Sequence, residues 1–436
     1  MQLKARNRYF LLVCAALVVA LTVARDAPAF ADAASERKLL ADVDAIAKKV
    51  SKIRGLSIKK SIRRGVMSKK QITKRLLARV DQEYSPSEIA AEELAMKRFG
   101  MLPADTDYKK LVIDLLTDQI AGFYDPWERQ LYIADWMTSG IGPLMAHEID
   151  HALQDQHFDL RKLMKPDKNN ADAMVARQSL VEGDGTALML EFAMKEAGLP
   201  APWGNEDFIE MIGPMMAAEM GSLDKVPLIL REGLIFPYMV GLEFVAHFLR
   251  HHDWGRIDKI FMKPPLSTEQ VLHPKKYEDF EKPVVISEST PKTLSSYRKV
   301  YDNVSGEFGI RLFLREHGLD EEKANRAAMG WGGDRIVVYV PPGHKKGSVS
   351  GTIGVLYTIW DDEADAIEFF EAQSEVLGAL TGGRRVASRD TYLEFRDRTG
   401  AISLSQRRGD AVLLIVGAPP ARASEISTQV WDSYKR

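Results

Sequence analysis

The chain of 436 residues contains a single cysteine, Cys14, and carries a formal net charge of −2 at pH 7. Without a second cysteine no disulfide can form within the chain, so its stability has to come from apolar burial and from any bound metal. A charge this close to neutral gives no electrostatic argument for binding nucleic acid or an acidic membrane surface. The sequence also has no glycine-rich phosphate loop and no basic-aromatic array, so nucleotide and nucleic-acid binding have no support in it.

Long apolar runs are missing too, except for one near the N-terminus. Three basic residues within the first eight positions precede an apolar run over 10–24, and small residues follow at 29–31. The run is shorter than the roughly 20 residues that cross a bilayer, and its charge pattern is typical of a secretory signal peptide. We therefore expect residues 1–31 to be a signal peptide. The mature chain would then be exported to the periplasm or the extracellular space, without a transmembrane domain.

The remaining length, about 400 residues, exceeds what one hydrophobic core usually supports, so more than one domain is expected. Apolar residues at helical spacing dominate the basic region 32–110, whereas short strands that alternate with helices follow residue 280. We predict an α+β fold with a mostly helical domain over 32–280, which contains an edge β-hairpin, and a C-terminal α+β domain over 281–436. We expect proteolysis near residues 278–295 to separate the two.

Three elements are predicted in the middle of the chain. Two aromatic-rich segments, 121–125 and 129–133, flank a turn signal and predict a β-hairpin. Gly142 and Pro143 then start a helix, because proline is tolerated in the first helical turn. After a loop, a second long helix is predicted over 171–197.

The first of these helices contains His147, Glu148 and His151 in the pattern H-E-x-x-H. Residues four apart share one helix face, so both imidazoles can bind the same ion. The carboxylate of Glu148 lies beside the first histidine and can accept a proton from water at the metal. A pattern of five residues can arise by chance, but its place on a predicted helix after a hairpin favours a metal site.

A catalytic zinc site usually has three protein ligands and keeps a fourth position for water, and two residues compete to be the third ligand. His157 has the metzincin spacing, but Gln154 stands where that pattern has a glycine that turns the chain. Without this turn the helix continues, and its ~100° per residue directs His157 away from the other two histidines. Glu182 is followed by Gly183 and Gly185 inside the second helix, and such glycines indicate close approach to a neighbouring helix, here the helix with the two histidines. We therefore expect Glu182 to be the third ligand.

Four segments resemble an uncharacterised group of bacterial gluzincin-type proteins: 122–126, 147–158, 182–184 and 267–277. The resemblance extends from about Arg54 to Tyr277. It implies a thermolysin-like zincin fold whose two-helix site holds Zn²⁺, with Glu182 as the third ligand. The thermolysin-type consensus N-E-x-x-S-D around that ligand is absent, so the hydrogen-bond partners of Glu182 stay open.

Peptide hydrolysis also needs a donor to the oxyanion of the tetrahedral intermediate. Gluzincins commonly take a tyrosine or a histidine from a segment after the third ligand, and both Tyr238 and His273 follow Glu182 in the chain. We slightly prefer His273.

Three functional hypotheses follow. In the first, the protein is a zinc metallopeptidase that hydrolyses a peptide or protein substrate with Glu148 as general base, and the substrate pairs with the hairpin edge near Tyr124 or Tyr132. In the second, it is a cell-envelope peptide-binding or assembly protein that retains a zincin scaffold with little hydrolytic activity. The intact Glu148 disfavours this second hypothesis. In the third, the C-terminal domain is an interaction module and the zinc site is structural, which the lack of cysteine ligands argues against. The sequence leaves the oligomeric state open.

Overall fold

The computed structural model describes residues 33–120, 122–136, 142–205, 207–212, 223 and 226–435. The predicted signal peptide lies outside these residues. Among the described residues, none of the helices combines the length and the apolar character that a membrane span requires.

The N-terminal part is mostly helical. Its helices are α1 (Ala33–Arg54), α2 (Lys69–Glu83), α3 (Pro86–Arg98), α4 (Tyr108–Gln119), α5 (Gly142–Phe158), α6 (Leu160–Leu163), α7 (Ala171–Glu196), α8 (Leu228–Leu249), α9 (Trp254–Met262), α10 (Thr268–Leu272) and α11 (Pro274–Glu278). The bounds of α5 and α7 confirm the two helices predicted from the sequence. Helix α2 begins with a capping box, in which Ser68 and Gln71 satisfy each other's backbone N–H groups.

Three short strands form a small sheet beside these helices: β1 (Arg63–Met67), β2 (Gly122–Asp125) and β3 (Gln130–Ala134). Strands β2 and β3 are antiparallel, which confirms the predicted hairpin, and β3 also pairs in parallel with β1. The order β1-β3-β2 leaves β3 in the centre. Tyr132 therefore has a strand on either side and cannot pair with a substrate, so this part of the prediction is wrong. Tyr124 lies on the outer strand β2.

Helices α7 and α8 cross at a contact between two glycines. A Cβ atom added to Gly183 would lie 2.1 Å from the carbonyl oxygen of Gly241, and one added to Gly241 would lie 2.2 Å from that of Ser179. The two backbones therefore touch, and neither position has room for a side chain. The expectation that Gly183 faces the helix with the histidines is wrong, because its neighbour is α8.

The C-terminal part contains a seven-stranded antiparallel sheet of order β5-β6-β7-β11-β10-β9-β8. The strands of this part are β4 (Ser287–Glu288), β5 (Arg298–Asn303), β6 (Trp331–Val340), β7 (Ile353–Trp360), β8 (Arg384–Arg389), β9 (Tyr392–Arg396), β10 (Ile402–Arg408), β11 (Ala411–Ala418) and β12 (Tyr434–Lys435). Its helices are α12 (Gly306–Glu316), α13 (Glu321–Ala328), α14 (Glu363–Thr381) and α15 (Ala423–Ser433). The predicted α+β character of the fold is confirmed.

One apolar cluster runs through both parts of the molecule. It includes Ile113 and Leu144 from the helical part, and Phe308 and Leu356 from the C-terminal part. The sequence pattern of helices and strands changes near residue 280, but the apolar packing continues across that position. The two predicted domains thus share apolar packing, and whether proteolysis separates them stays a prediction.

Candidate metal centre

Two histidines on α5 and one glutamate on α7 converge in the interior. The Nε2 atoms of His147 and His151 lie 2.9 Å apart. Oε2 of Glu182 lies 3.3 Å from the first and 3.6 Å from the second. All three residues are at most 2 % exposed. The structure thus brings together the three residues that the sequence predicts as metal ligands.

These separations suit one small cation. Around tetrahedral Zn²⁺, with ligand distances of about 2.0–2.1 Å, the ligand atoms lie about 3.4 Å from one another. The three distances between ligand atoms in the structure, 2.9, 3.3 and 3.6 Å, lie close to that value, two below it and one above. No described residue hydrogen-bonds either carboxylate oxygen of Glu182. A cation at this point would neutralise a buried carboxylate that otherwise has only two imidazoles beside it.

Burial and the imidazoles act in opposite directions on Glu182. Burial alone would raise the pKa of its carboxyl group, but the adjacent His147 and His151 outweigh it and hold the pKa below its usual value. The side chain is therefore ionised at neutral pH, as a metal ligand has to be.

Gly185 allows α7 to come this close to α5. A Cβ atom at this position would lie 2.9 Å from Cε1 and 3.0 Å from Nδ1 of His147, and 3.1 Å from Cε1 of His151. Contacts this short would push the two helices apart and would carry Glu182 away from the histidines. The close approach that the sequence predicts is confirmed for Gly185.

Gln154 orients the second imidazole, a role that the sequence analysis missed. Its Oε1 lies 2.8 Å from Nδ1 of His151, while its Nε2 donates to the carbonyl oxygen of Val181 at 3.2 Å. A carbonyl oxygen can only accept, so the amide oxygen has to face His151, and Nδ1 of that ring carries the proton. When that ring is neutral, its Nε2 consequently carries the lone pair that a metal ion would accept. The sequence marked Gln154 only as the residue that interrupts the metzincin pattern.

A buried charge network surrounds this glutamine. Its Nε2 also donates to Asp184 at 2.7 Å. Nε of Arg54 in turn donates to Asp184 at 2.9 Å, and Nη1 of Arg54 donates to Asp258 at 2.7 Å. Burial raises the pKa of Asp150 well above its usual value, and the neighbouring Asp184 adds to the rise. The members of this network lie on four helices, so spacing along the sequence could not reveal it.

Glu148 contacts the hairpin. Its Oε2 accepts a hydrogen bond of 2.7 Å from the backbone N–H of Tyr124. The Tyr124 hydroxyl donates to Asp155 at 2.9 Å, and burial, followed by the charge of Asp155, raises the pKa of this phenol. The outer strand of the small sheet therefore holds one oxygen of the Glu148 carboxylate in a fixed position.

The two residues considered as oxyanion donors have different surroundings. The ring of Tyr238 lies 6.1 Å from that of His147, with the ring planes 22° apart. Nε2 of His273 instead contacts the carboxylate of Glu307 at 2.9 and 3.0 Å. Tyr238 thus lies beside His147, while the contact of His273 is with Glu307, and the choice of oxyanion donor stays a prediction. His157 contacts the carbonyl oxygen of Ser57 at 2.8 Å and is not part of the cluster.

A second group of carboxylates has a cation of its own. Ligand atoms of Glu269, Glu281 and Asp361 also lie within 4.8 Å of one another. Nζ of Lys276 lies 2.6 Å from Glu269 and 2.8 Å from Glu281, and it contacts Asp361 as well. Because the lysine compensates their charge, this group links the two parts of the molecule and does not compete as a metal site.

Comparison with known proteins covers only the C-terminal part. A family model described as a domain of unknown function (DUF8575) matches residues 294–427. That segment contains all seven strands of the large sheet and none of the three residues of the metal cluster. No curated protein and no solved structure matches the chain.

Proposed function

We propose that the protein is a zinc-dependent peptidase of the gluzincin type, with His147, His151 and Glu182 as the metal ligands. The observation that carries this proposal is the convergence of two imidazole nitrogens and one buried carboxylate oxygen within 3.6 Å. Three ligands of this kind, without cysteine, are typical of catalytic zinc sites, which keep a position open for water. The resemblance of segments 147–158 and 182–184 to gluzincins supports the same class.

The residues around the cluster can divide the chemistry of hydrolysis among them. When bound, zinc supplies Lewis acidity and lowers the pKa of a water molecule beside it. Glu148 would accept the proton of that water while the N–H of Tyr124 keeps its carboxylate in place. The same carboxyl group would then return the proton to the amine that leaves.

Two further residues would support this reaction. Tyr238, beside His147, would donate a hydrogen bond from its hydroxyl to the developing oxyanion of the substrate. Gln154 would act as a positioning residue, because it keeps the proton of His151 on Nδ1. Within the hairpin, an extended substrate could pair with the outer edge of β2, since β3 is paired on both sides.

Metal content and hydrolysis, measured on the same preparations, test the proposal. The purified chain should bind about one zinc, as expected for a single site of this ligand number. Glu182→Ala should lose the metal, whereas the matched control His157→Ala should keep it. Retention of zinc by Glu182→Ala, with loss in His157→Ala, would move the protein toward the metzincins.

Glu148→Gln separates metal binding from catalysis. The amide keeps the shape of the side chain but cannot accept a proton, so hydrolysis of an unstructured protein such as casein should fall about 10²- to 10⁴-fold, with zinc content unchanged. A peptide-binding protein on the same scaffold would show no chelator-sensitive cleavage in either form. Cleavage that persists undiminished in Glu148→Gln would contradict the proposed role of this residue.

A further inference from the structure

An apolar cavity of about 150 Å³ lies where the helical part meets the C-terminal part. Helices α3, α4, α7 and α8 line one side, and Tyr301, Phe308 and Leu356 are among the residues that close the other. A space of this size, lined mainly by apolar side chains, can hold a molecule as large as benzene. The matched domain of unknown function thus forms one wall of a possible ligand site.

Two polar side chains of α7 reach this cavity, and they differ in their partners. Asp172 accepts hydrogen bonds from the backbone N–H of Thr268 at 2.9 Å and from its hydroxyl at 2.5 Å. Gln178 is 7 % exposed and lines the cavity, yet no described residue hydrogen-bonds its amide. The Gln178 amide is therefore suited to a partner that comes from outside the chain.

Helix α8, on the same side of the cavity, provides both space and an acceptor. A Cβ atom added to Gly233, which lines the cavity, would meet no atom within 4 Å. Pro237 lies inside the same helix, four residues later, and has no N–H to donate to the carbonyl oxygen of Gly233. The regular helical hydrogen bond is therefore missing at this turn.

The cavity adjoins the metal cluster along both helices. Gln178 and Glu182 are four residues apart on α7, so they share one face and lie about 6 Å apart along the helix. Leu234, which also lines the cavity, stands in the same relation to Tyr238 on α8. A ligand in the cavity would therefore point toward the cluster, between the two helices.

We propose that this cavity binds a neutral ligand that joins an apolar body of about benzene size to an amide group. The apolar body would fill the space between the helices and the sheet, and the amide would pair with that of Gln178, which both donates and accepts. A charged carboxylate would be disfavoured by Asp172 nearby. An apolar group joined to an amide occurs in a peptide, as an apolar side chain beside a backbone amide, and also in a free aromatic amide. Binding would need neither metal nor hydrolysis, so the site stands apart from the proposed peptidase activity.

Ligand binding to the full chain tests this proposal, with Glu148→Gln as the background to prevent turnover. The probes, followed by calorimetry or saturation-transfer NMR, are toluene, N-acetyl-phenylalanine amide and N-acetylglycine amide. The aromatic amide should bind about 2- to 10-fold more tightly than toluene, as one additional hydrogen bond implies, and N-acetylglycine amide should not bind measurably. Gln178→Leu should remove the difference between the first two probes.

Variants that fill the cavity complete the test. Gly233→Leu on α8 and Val175→Phe on α7 should each abolish binding of both aromatic probes, with folding checked by circular dichroism. The matched control is Gly378→Leu on α14, where an added Cβ meets only Cε1 of Phe395 at 3.8 Å, and it should leave binding unchanged. Absence of saturable binding to the parent chain, or binding that survives in a folded filled variant, would overturn the proposal.

One further arm distinguishes the two sources of the ligand. A hexapeptide with an internal phenylalanine should bind as well as the aromatic amide if the cavity serves peptide side chains. If the hexapeptide is excluded while the aromatic amide binds, the ligand is a free small molecule.

Discussion

The helical part and the C-terminal sheet part bury different kinds of side chain. Helix α5 alone buries six polar or ionisable residues: His147, Glu148, Asp150, His151, Gln154 and Asp155. Strands β7 and β11 are buried along their whole length and are mainly aliphatic. Buried polar groups are costly unless they are compensated, whereas strands of a sheet satisfy their own backbone and need only apolar neighbours. The comparison places the buried polar cluster in the helical part, whereas the sheet provides packing and one wall of the cavity.

Glycine substitutions can test this comparison. Gly183 and Gly185, near the cluster, have no room for a side chain, whereas Gly233, at the cavity, has open space beside it. Gly183→Ala would place a methyl group 2.1 Å from the backbone of Gly241, so we expect it to lower the free energy of unfolding by about 3 kcal/mol. Gly233→Ala meets open space and should be neutral or stabilising by up to about 1 kcal/mol. Urea denaturation of both variants measures the difference. Equal effects would show that the crossing of α7 and α8 is not tightly packed.

Removal of the glutamine beside His151 tests whether the buried polar residues of α5 serve the metal. Gln154→Leu removes the acceptor for Nδ1 of that ring, and such losses typically reduce metal affinity about 10- to 100-fold. Gln156→Leu is the matched control on the same helix, since the side chain of Gln156 bonds the backbone of Lys59 and Lys60. Zinc competition with a chromophoric chelator measures both affinities. If both variants bind zinc as tightly as the wild type, Gln154 contributes to packing and not to the orientation of His151.

The junction between the two parts should respond to pH through its buried carboxyl groups. Burial raises the pKa of Asp172 to about 7 and that of Asp334 to about 6, against about 3.9 for an unfolded aspartate. The folded state therefore holds these protons more tightly. The stability that this provides is complete below pH 4 and is lost as the pH rises to about 7.

Asp172→Asn should accordingly weaken this pH dependence by about 1–2 kcal/mol between pH 5 and 8. Denaturation at several pH values measures the effect. Asp44→Asn serves as the control, because Arg64 lowers the pKa of Asp44 and its stabilising contribution is lost only in more acidic solution. An unchanged slope in Asp172→Asn would mean that other groups, such as Glu269, dominate the junction.

Local patterns in the sequence were enough to predict the elements that carry the site. The hairpin and the helices α5 and α7 depend on residues that are close along the chain, and each is present in the structure. The spacing of His147 and His151 was readable for the same reason, since positions four apart on a helix share a face. The expectation of Glu182 as their partner came from the glycines beside it and from the resemblance to gluzincins.

What the sequence by itself determined is therefore the local structure and the type of residues at the cluster, because propensity, turn chemistry and helical spacing act over a few residues. Tertiary structure alone decided that Gly183 contacts α8 while Gly185 contacts the two histidines. It also decided that Gln154 orients His151 and that the ring of Tyr238 lies beside that of His147. These outcomes depend on contacts between distant segments, as in the pair of Arg54 and Asp184, which are 130 residues apart. Such contacts are selected by how whole faces of helices and strands fill space together, and no pattern within one segment records that fit.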